Sequence, residues 1–438
     1  ISFWEGVMTV LIKNGRVIDP ANNLDATKDV RIVKGKIEAI DPPGKINIDE
    51  KGKTSVIDAK GCVVCPGFID MHVHFREPGF EYKETIESGC KSAAAGGFTS
   101  VAVMPNTKPV NDTRSVTELM LSQARAKGIV RVYAIAAITQ GLAGECLSEM
   151  GDLKDAGAIA FSDDGRPVMN NELMRRAFEY SKMFKVPLIQ HSEMLDLTEG
   201  GSMNEGAVST ELGLKGMPVE AEDIMVYRDI ALLEKTGGRL HVAHISSGNS
   251  VDLVRQAKAQ GLPVTCEVAP HHFILTDEAV RGYDTNTKMS PPLRTAKDVE
   301  RIKEGLKDGT IDIIATDHAP HDLTDKQCEY QNACFGIVGL ETALPLTLKL
   351  VDENIFSLSD AIKKLTSAPA DIFNLDSGEL SIGKQADVVI FDPDYEYEVD
   401  VSKFHSKSKN SPFNGWKVKG KVLHTLVGGK VVYSAVEH

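Results

Sequence analysis

Phe68-Ile-Asp-Met-His72-Val-His74-Phe-Arg76-Glu-Pro-Gly79 is the stretch on which the fold turns. An apolar run ends in two histidines two residues apart, with an arginine two further on. In a β-strand, side chains at i, i+2 and i+4 project from one face. A strand over 68–74 therefore points His72 and His74 the same way and leaves Arg76 beside them where the strand gives out. Paired imidazoles suit a divalent transition metal. Two hydrogen-bonded core histidines would give the same local pattern, so the surroundings have to decide.

Outward from this strand, the order strand, loop, helix repeats. Segments mostly rich in β-branched and small apolar residues fall at 68–74, 99–106, 131–139, 158–164, 186–193, 239–246, 263–271 and 312–320. Helix signals lie between them. Ser115-Val-Thr-Glu118 reads as a capping box opening a helix that stops at Gly128. Ser250 precedes Val251, Val254 and Ala257 at helical spacing, with Gly261 as the stop. Thr295 opens a helix that sets Val299, Ile302 and Leu306 on one face and ends at Gly309. Eight strands alternating with helices predict an α/β fold, a (β/α)8 TIM barrel. A doubly wound open sheet is the competitor; the count of eight and the lack of a GxGxxG turn weigh against it.

The chain ends read differently. Val10-Leu-Ile12, Asn14-Gly15 and Val17-Ile18, then Val30-Arg-Ile-Val33, Lys34-Gly35 and Ile37, look like short strands joined by hairpin turns. Similar runs recur at 386–391 and 425–433. The expectation is a small composite β-sandwich built from residues 1–62 and 376–438, flanking a barrel over 63–375.

At 438 residues the chain has room for both parts. Hydrophobic content of 42% and charged content of 25% are ordinary for a soluble protein, and no apolar run matches a membrane span. Residues 1–7 precede Met8, read as an upstream extension and lack a secretory pattern. The net charge of −13, without a basic stripe, argues against nucleic acid and against an anionic membrane surface. Seven scattered cysteines suit a reducing cytoplasm, and Cys62-Val-Val-Cys65 has no second pair with which to hold a structural zinc.

The reactive residues gather at the strand ends. His72 and His74 end the first strand, Asp163-Asp164 the fourth and His191 the fifth. His241 and His244 belong to the end of the sixth; Asp317, His318 and His321 end the eighth. Barrel enzymes keep their sites at that rim, so five strands delivering His or Asp there point to a metal hydrolase. HVHFREPG (72–79), MPNT (104–107), FSDDG (161–165), QHSE (190–193), VAHISS (242–247), PPLR (291–294) and TDHAPH (316–321) also carry a resemblance. Over essentially all of 8–435 the chain resembles the amidohydrolase superfamily and, within it, the class I dihydroorotases.

That resemblance implies zinc-dependent, reversible cyclisation of N-carbamoyl-L-aspartate to dihydroorotate in pyrimidine biosynthesis. By it, His72, His74 and Asp317 hold one zinc, and His191 and His244 serve a second, with Asp164 reaching between. Asp163 is the alternative to Asp164. Many relatives bridge two metals with a carboxylated lysine on strand four; none stands there here, which leaves one or two zinc ions open. Asp317 doubles as general base and acid. Arg76 suits a substrate carboxylate bidentately, with Asn106 and His321 beside it. His74, Ser290 and the backbone of Phe335 and Gly336 would complete the substrate contacts, under a loop over 322–336. Ser290 replaces the asparagine usual in such proteins. His271-His272 read as structural and His318 as a partner of the site, while His405, His424 and His438 have no chemical context. The resemblance further implies a homo-oligomer and docking with aspartate transcarbamoylase. The rivals are a dihydropyrimidinase-, hydantoinase- or allantoinase-like enzyme, whose neutral ring gives Arg76 nothing to bind, and an inactive scaffold for that same transcarbamoylase.

Overall fold

The computed structural model describes residues 9–46 and 54–435, so the upstream stretch 1–7 and His438 fall outside the described residues. Eight parallel strands follow one another around a barrel: Phe68–Val73, Phe98–Val103, Arg131–Ala136, Ala158–Ser162, Leu188–Gln190, Leu240–Val242, Val264–Val268 and Ile313–Ile314. The ring closes beyond the last strand, where Val73 bridges to His318 and the His74 amide donates to the His318 carbonyl at 2.9 Å. Asp70 reinforces the seam by accepting from the His72 amide at 3.0 Å and the Thr316 hydroxyl at 2.5 Å. The doubly wound alternative is excluded.

The strand period sorts the core. Ile69, Met71, Ala102, Ile135, Ala160, Ile189 and Ala243 form one buried cluster with Ala370, Ile372 and Phe373 of the helix Ser367–Phe373. Residues of the opposite face, such as Phe68, Val101, Phe161, Leu188 and Val242, join the layer shared with the outer helices. Two expected helix starts shift towards the N-terminus. Helix Arg114–Lys127 begins after Thr113, not Ser115, and helix Gly248–Ala259 is capped by Ser247, whose hydroxyl accepts from Asn249 and Ser250 amides. In each case an earlier Ser or Thr takes the extended cap conformation, and the expected residue falls inside the first turn. Thr295 and Gly309 bound Ala296–Asp308 as expected.

The two chain ends meet in one eight-stranded sheet. Its parts include Thr9–Asp19, Leu24–Val33 and Lys36–Asp41 from the start and Val388–Glu398, Lys417–Val427 and Lys430–Ser434 from the end. Val63–Pro66 stitches them together, pairing with Arg16–Val17 on one side and Val388–Phe391 on the other. Asn14-Gly15 is not a hairpin. Thr9–Asp19 runs straight through it with a bulge, and both halves pair with Leu24–Val33. The true turn is Lys34-Gly35, both at positive φ. It meets the Gly428-Gly429 turn so closely that a Cβ on Gly35 would lie 2.7 Å from the Gly428 carbonyl. Curling the sheet this way encloses a second core, with Ile12, Val30, Ile32, Val388, Ile390 and Leu426.

Candidate metal and substrate site

Several expected rim strands stop short, and the residues released from them gather at the barrel mouth. Strand eight is regular only over Ile313–Ile314, three residues before Asp317. Asp317 and His244 take positive φ (47° and 30°), so the backbone turns their side chains into the barrel mouth. Such conformations are costly for residues with a Cβ and concentrate where function requires them.

Asp164 lies at the centre of the resulting cluster. Its Oδ1 is 3.3 Å from His72 Nε2, 3.4 Å from His244 Nε2 and 3.6 Å from His191 Nδ1, while Oδ2 is 3.4 Å from His74 Nε2. Asp317 Oδ1 is 3.1 Å from His74 Nε2 and 3.6 Å from His72 Nε2. Two groupings place their donor atoms within reach of one ion: His72, Asp164 and His244, and His72, His74 and Asp317. His191 belongs to neither; it touches the first through Asp164 and, at 3.0 Å, His244 Nε2.

The donor set fits a cation. His72 Nε2 and Asp164 Oδ1 are buried and lack hydrogen-bond partners among the described residues, an arrangement that is costly unless something is bound. Without an ion, the imidazoles have to balance two buried carboxylates. Burial would lower the His72 pKa, yet Asp164, Glu267 and Asp317 drive it well above the usual value. Burial likewise opposes the charged form of His191, but Asp164 and Glu193 raise it to about 10. Burial would raise the Asp164 carboxyl, but His72, His191 and His244 hold it well below the usual range. The site therefore calls for positive charge between its carboxylates.

Second contacts orient the rings. His74 Nδ1 meets Asn106 Oδ1 at 2.8 Å, leaving Nε2 towards Asp317. His191 Nε2 meets Glu193 at 2.9 Å. His72 Nδ1 lies 2.5 Å from Glu267 Oε1, whose other oxygen is 3.1 Å from His241 Nε2. Glu267 was not anticipated, and Glu193, though part of the QHSE motif, was given no role of its own. Asp163 turns away to accept from the Ile138 and Thr139 amides at 2.8 and 2.9 Å.

A cavity of about 280 Å³ opens over the cluster. Every expected site residue except His72 lines it, and Met289 and Cys334 join them. His72 lies beneath, fully buried. Arg76, half-buried at φ 60°, donates through Nε to the Pro320 carbonyl at 3.2 Å. Among the described residues no carboxylate ion-pairs with it. Glu77, its neighbour, instead accepts from the Ile86 amide at 2.9 Å. His321 is buried, with Nδ1 facing Lys83 Nζ at 3.2 Å and Nε2 facing the Phe335 carbonyl at 2.8 Å. Burial, with Arg76, Lys83 and Lys326 nearby, holds its pKa well below the usual value. A third grouping, His321, Asp325 and Cys334, already has a cation among it, since Lys83 Nζ is 3.0 Å from Asp325.

The remaining described histidines make other contacts. His318 Nδ1 accepts from the Gly339 amide at 3.2 Å and its Nε2 faces Glu84. His272 meets the Pro291 carbonyl at 2.9 Å, and His271 is buried against it. His405 pairs with Glu341, and His424 lies in the terminal sheet. The stretch 322–336 is a packed lid holding a short helix, Leu323–Lys326, and a turn, Tyr330–Asn332. Lys326 is buried within it and donates to the carbonyls of Thr285 and Cys334 at 3.0 and 2.7 Å.

Comparison with known proteins agrees with this geometry. The profile of the amidohydrolase family matches residues 63–432. A dihydroorotase of Geobacter metallireducens is 55% identical over 97% of this chain and 100% of its own length. One from Syntrophus aciditrophicus is 53% identical over 97% and 99%. Among solved structures, an L-hydantoinase (dihydropyrimidinase) from Arthrobacter aurescens superposes with a TM-score of 0.87 at 28% identity, covering 98% of this chain and 96% of that one. A dihydropyrimidinase from Brevibacillus agri, at 22% identity and a TM-score of 0.85, shares the fold. The chain belongs to the amidohydrolase family, on its dihydroorotase branch.

Proposed function

We propose that this chain interconverts dihydroorotate and N-carbamoyl-L-aspartate, with a zinc ion held by His72, His74 and Asp317 and with His191, His244 and Asp164 available to a second. The observation that carries this reading is Arg76: a guanidinium without a carboxylate partner shares one small cavity with a buried cluster built for a cation. A neutral ring would leave that guanidinium unmatched, and an acidic ring satisfies it.

A zinc ion, when bound, supplies a water whose pKa falls to about 7 and polarises the carbonyl under attack. The protein's own part is to bind, aim and move protons. Arg76 takes the substrate carboxylate, and Asn106 keeps an N–H beside it while its oxygen fixes His74. His321 joins them by exchanging the Phe335 carbonyl for the carboxylate. Ser290 and the Phe335-Gly336 backbone border the ring. In the hydrolytic direction a water oxygen would add to the ring carbonyl carbon as the carbon–nitrogen bond breaks. Asp317 takes the proton the water gives up and delivers it to the departing nitrogen. Burial would raise its carboxyl, but His72, His74 and His244 bring it below the usual range, so it enters the reaction as a base.

The same proposal extends, on family resemblance, to a homo-oligomer that docks with aspartate transcarbamoylase in the cytoplasm. Among the described residues no helix is long and apolar enough to cross a membrane. Turnover by zinc-loaded protein tests the assignment. Dihydroorotate should exceed dihydrouracil and hydantoin in kcat/KM by on the order of 10⁴, the discrimination a polar site exerts against a ligand lacking its partner group. Equal or better turnover of dihydrouracil would refute it.

A further inference from the structure

His72 is the one expected ligand that does not line the cavity, and it belongs to both groupings that can hold an ion. Its ring must therefore present Nε2 upward with little tolerance. Nothing in strand one supplies that constraint. It comes from across the barrel, where Glu267 on strand seven projects into the interior and is 1% exposed. Glu267 Oε1 lies 2.5 Å from His72 Nδ1 and Oε2 lies 3.1 Å from His241 Nε2; His241 Nδ1 in turn lies 2.8 Å from Thr265 Oγ1. Four residues on three strands thus form one line beneath the site, buried but for the half-buried Thr265.

We infer that Glu267 is a positioning residue for the metal centre, fixing His72 as the Nδ1–H tautomer with Nε2 free to ligate, and that His241 and Thr265 hold Glu267 in place. The inference rests on the reading of His72 as a ligand. A carboxylate accepting from the second nitrogen both aims a ligating imidazole and makes it a stronger donor, and losing such a partner typically weakens metal affinity by 10–100-fold. Stability alone does not account for Glu267, because a buried ion pair is weak evidence for stabilisation and a hydrophobic pair fills the same space at less cost.

Zinc affinity of the purified full chain, measured against a competing chelator, tests this apart from catalysis. Glu267→Gln preserves shape and should bind zinc roughly 10–100-fold more weakly, while its melting temperature in excess chelator stays near that of the parent. His72→Asn serves as the reference. If E267Q binds zinc like the parent while H72N does not, the positioning role is overturned and the metal reading stands. If H72N also binds like the parent, the metal reading itself falls. Should E267Q fail to fold, His241→Asn leaves the carboxylate in place without one partner and should show the same loss in smaller measure; parental affinity there overturns the proposal.

Discussion

At the scale of single residues, the site separates two tasks. Asp164 and Asp317 create a buried demand for positive charge, and Arg76 creates a demand for negative charge across the same cavity. A substrate bearing both an amide carbonyl and a carboxylate meets the second demand while offering its carbonyl to the first. Asp317→Asn keeps the size of the side chain but cannot accept and return a proton. We expect kcat to fall by on the order of 10²–10⁴, the usual worth of a positioned acid–base group, with KM changed far less. Steady-state kinetics on zinc-loaded protein check this. A large KM increase at unchanged kcat would make Asp317 a binding group only.

At the scale of elements, the decisive unit is the 322–336 lid with the strand end that precedes it. Gly336 sits at φ 147°, and a Cβ there would lie 2.8 Å from the Ala319 carbonyl and from His321 Cδ2. Gly336→Ala should therefore displace both lid and His321, costing roughly 1–3 kcal/mol in stability, seen as a lower denaturant midpoint, together with a raised KM. Lys326 anchors the lid, and burial pulls its pKa from 10.5 down to about 7. The folded pKa lies below the unfolded one, so between about pH 7 and 10 the opened lid binds more protons than the closed lid. Closure therefore strengthens as pH rises through that window. Hydrogen exchange across 322–336, corrected for intrinsic rates, should slow accordingly, and Lys326→Met should remove the dependence. The strands and the rim were legible in the sequence because period-two apolar runs and the residues after them are local signals. Cap positions were off by two or three residues at Thr113 and Ser247, where several Ser and Thr compete. Asn14-Gly15 misled because a bulge and a hairpin ask for the same dipeptide, and only the partner strand distinguishes them. Glu267 was missed since its meaning lies in His72, 195 residues away.

At the scale of the whole molecule, the terminal sheet grips the barrel at the strand starts. Asp387 accepts from Arg131 at 2.6 Å, and Phe391 packs 6.2 Å from Phe68. The C-terminal part also reaches the opposite end. Asn410 accepts from the His321 amide and donates to the Ala319 and Gly336 carbonyls, each at 3.0 Å. Asn410→Ala should raise KM for dihydroorotate and loosen the lid while leaving zinc affinity unchanged; a loss of zinc would place Asn410's influence at the metal cluster instead. We expect Arg76 to supply much of this barrel's preference for an acid over a neutral ring. The ratio of kcat/KM for dihydroorotate to that for dihydrouracil, measured in the parent and in Arg76→Ala, isolates that contribution. The two rings differ by the carboxylate alone. The ratio should be large in the parent and reduced by roughly 10–100-fold in R76A, the worth of hydrogen bonds to a charged group, with dihydrouracil turnover little changed. Equal losses for both substrates, leaving the ratio unaltered, would show that Arg76 does not read the carboxylate.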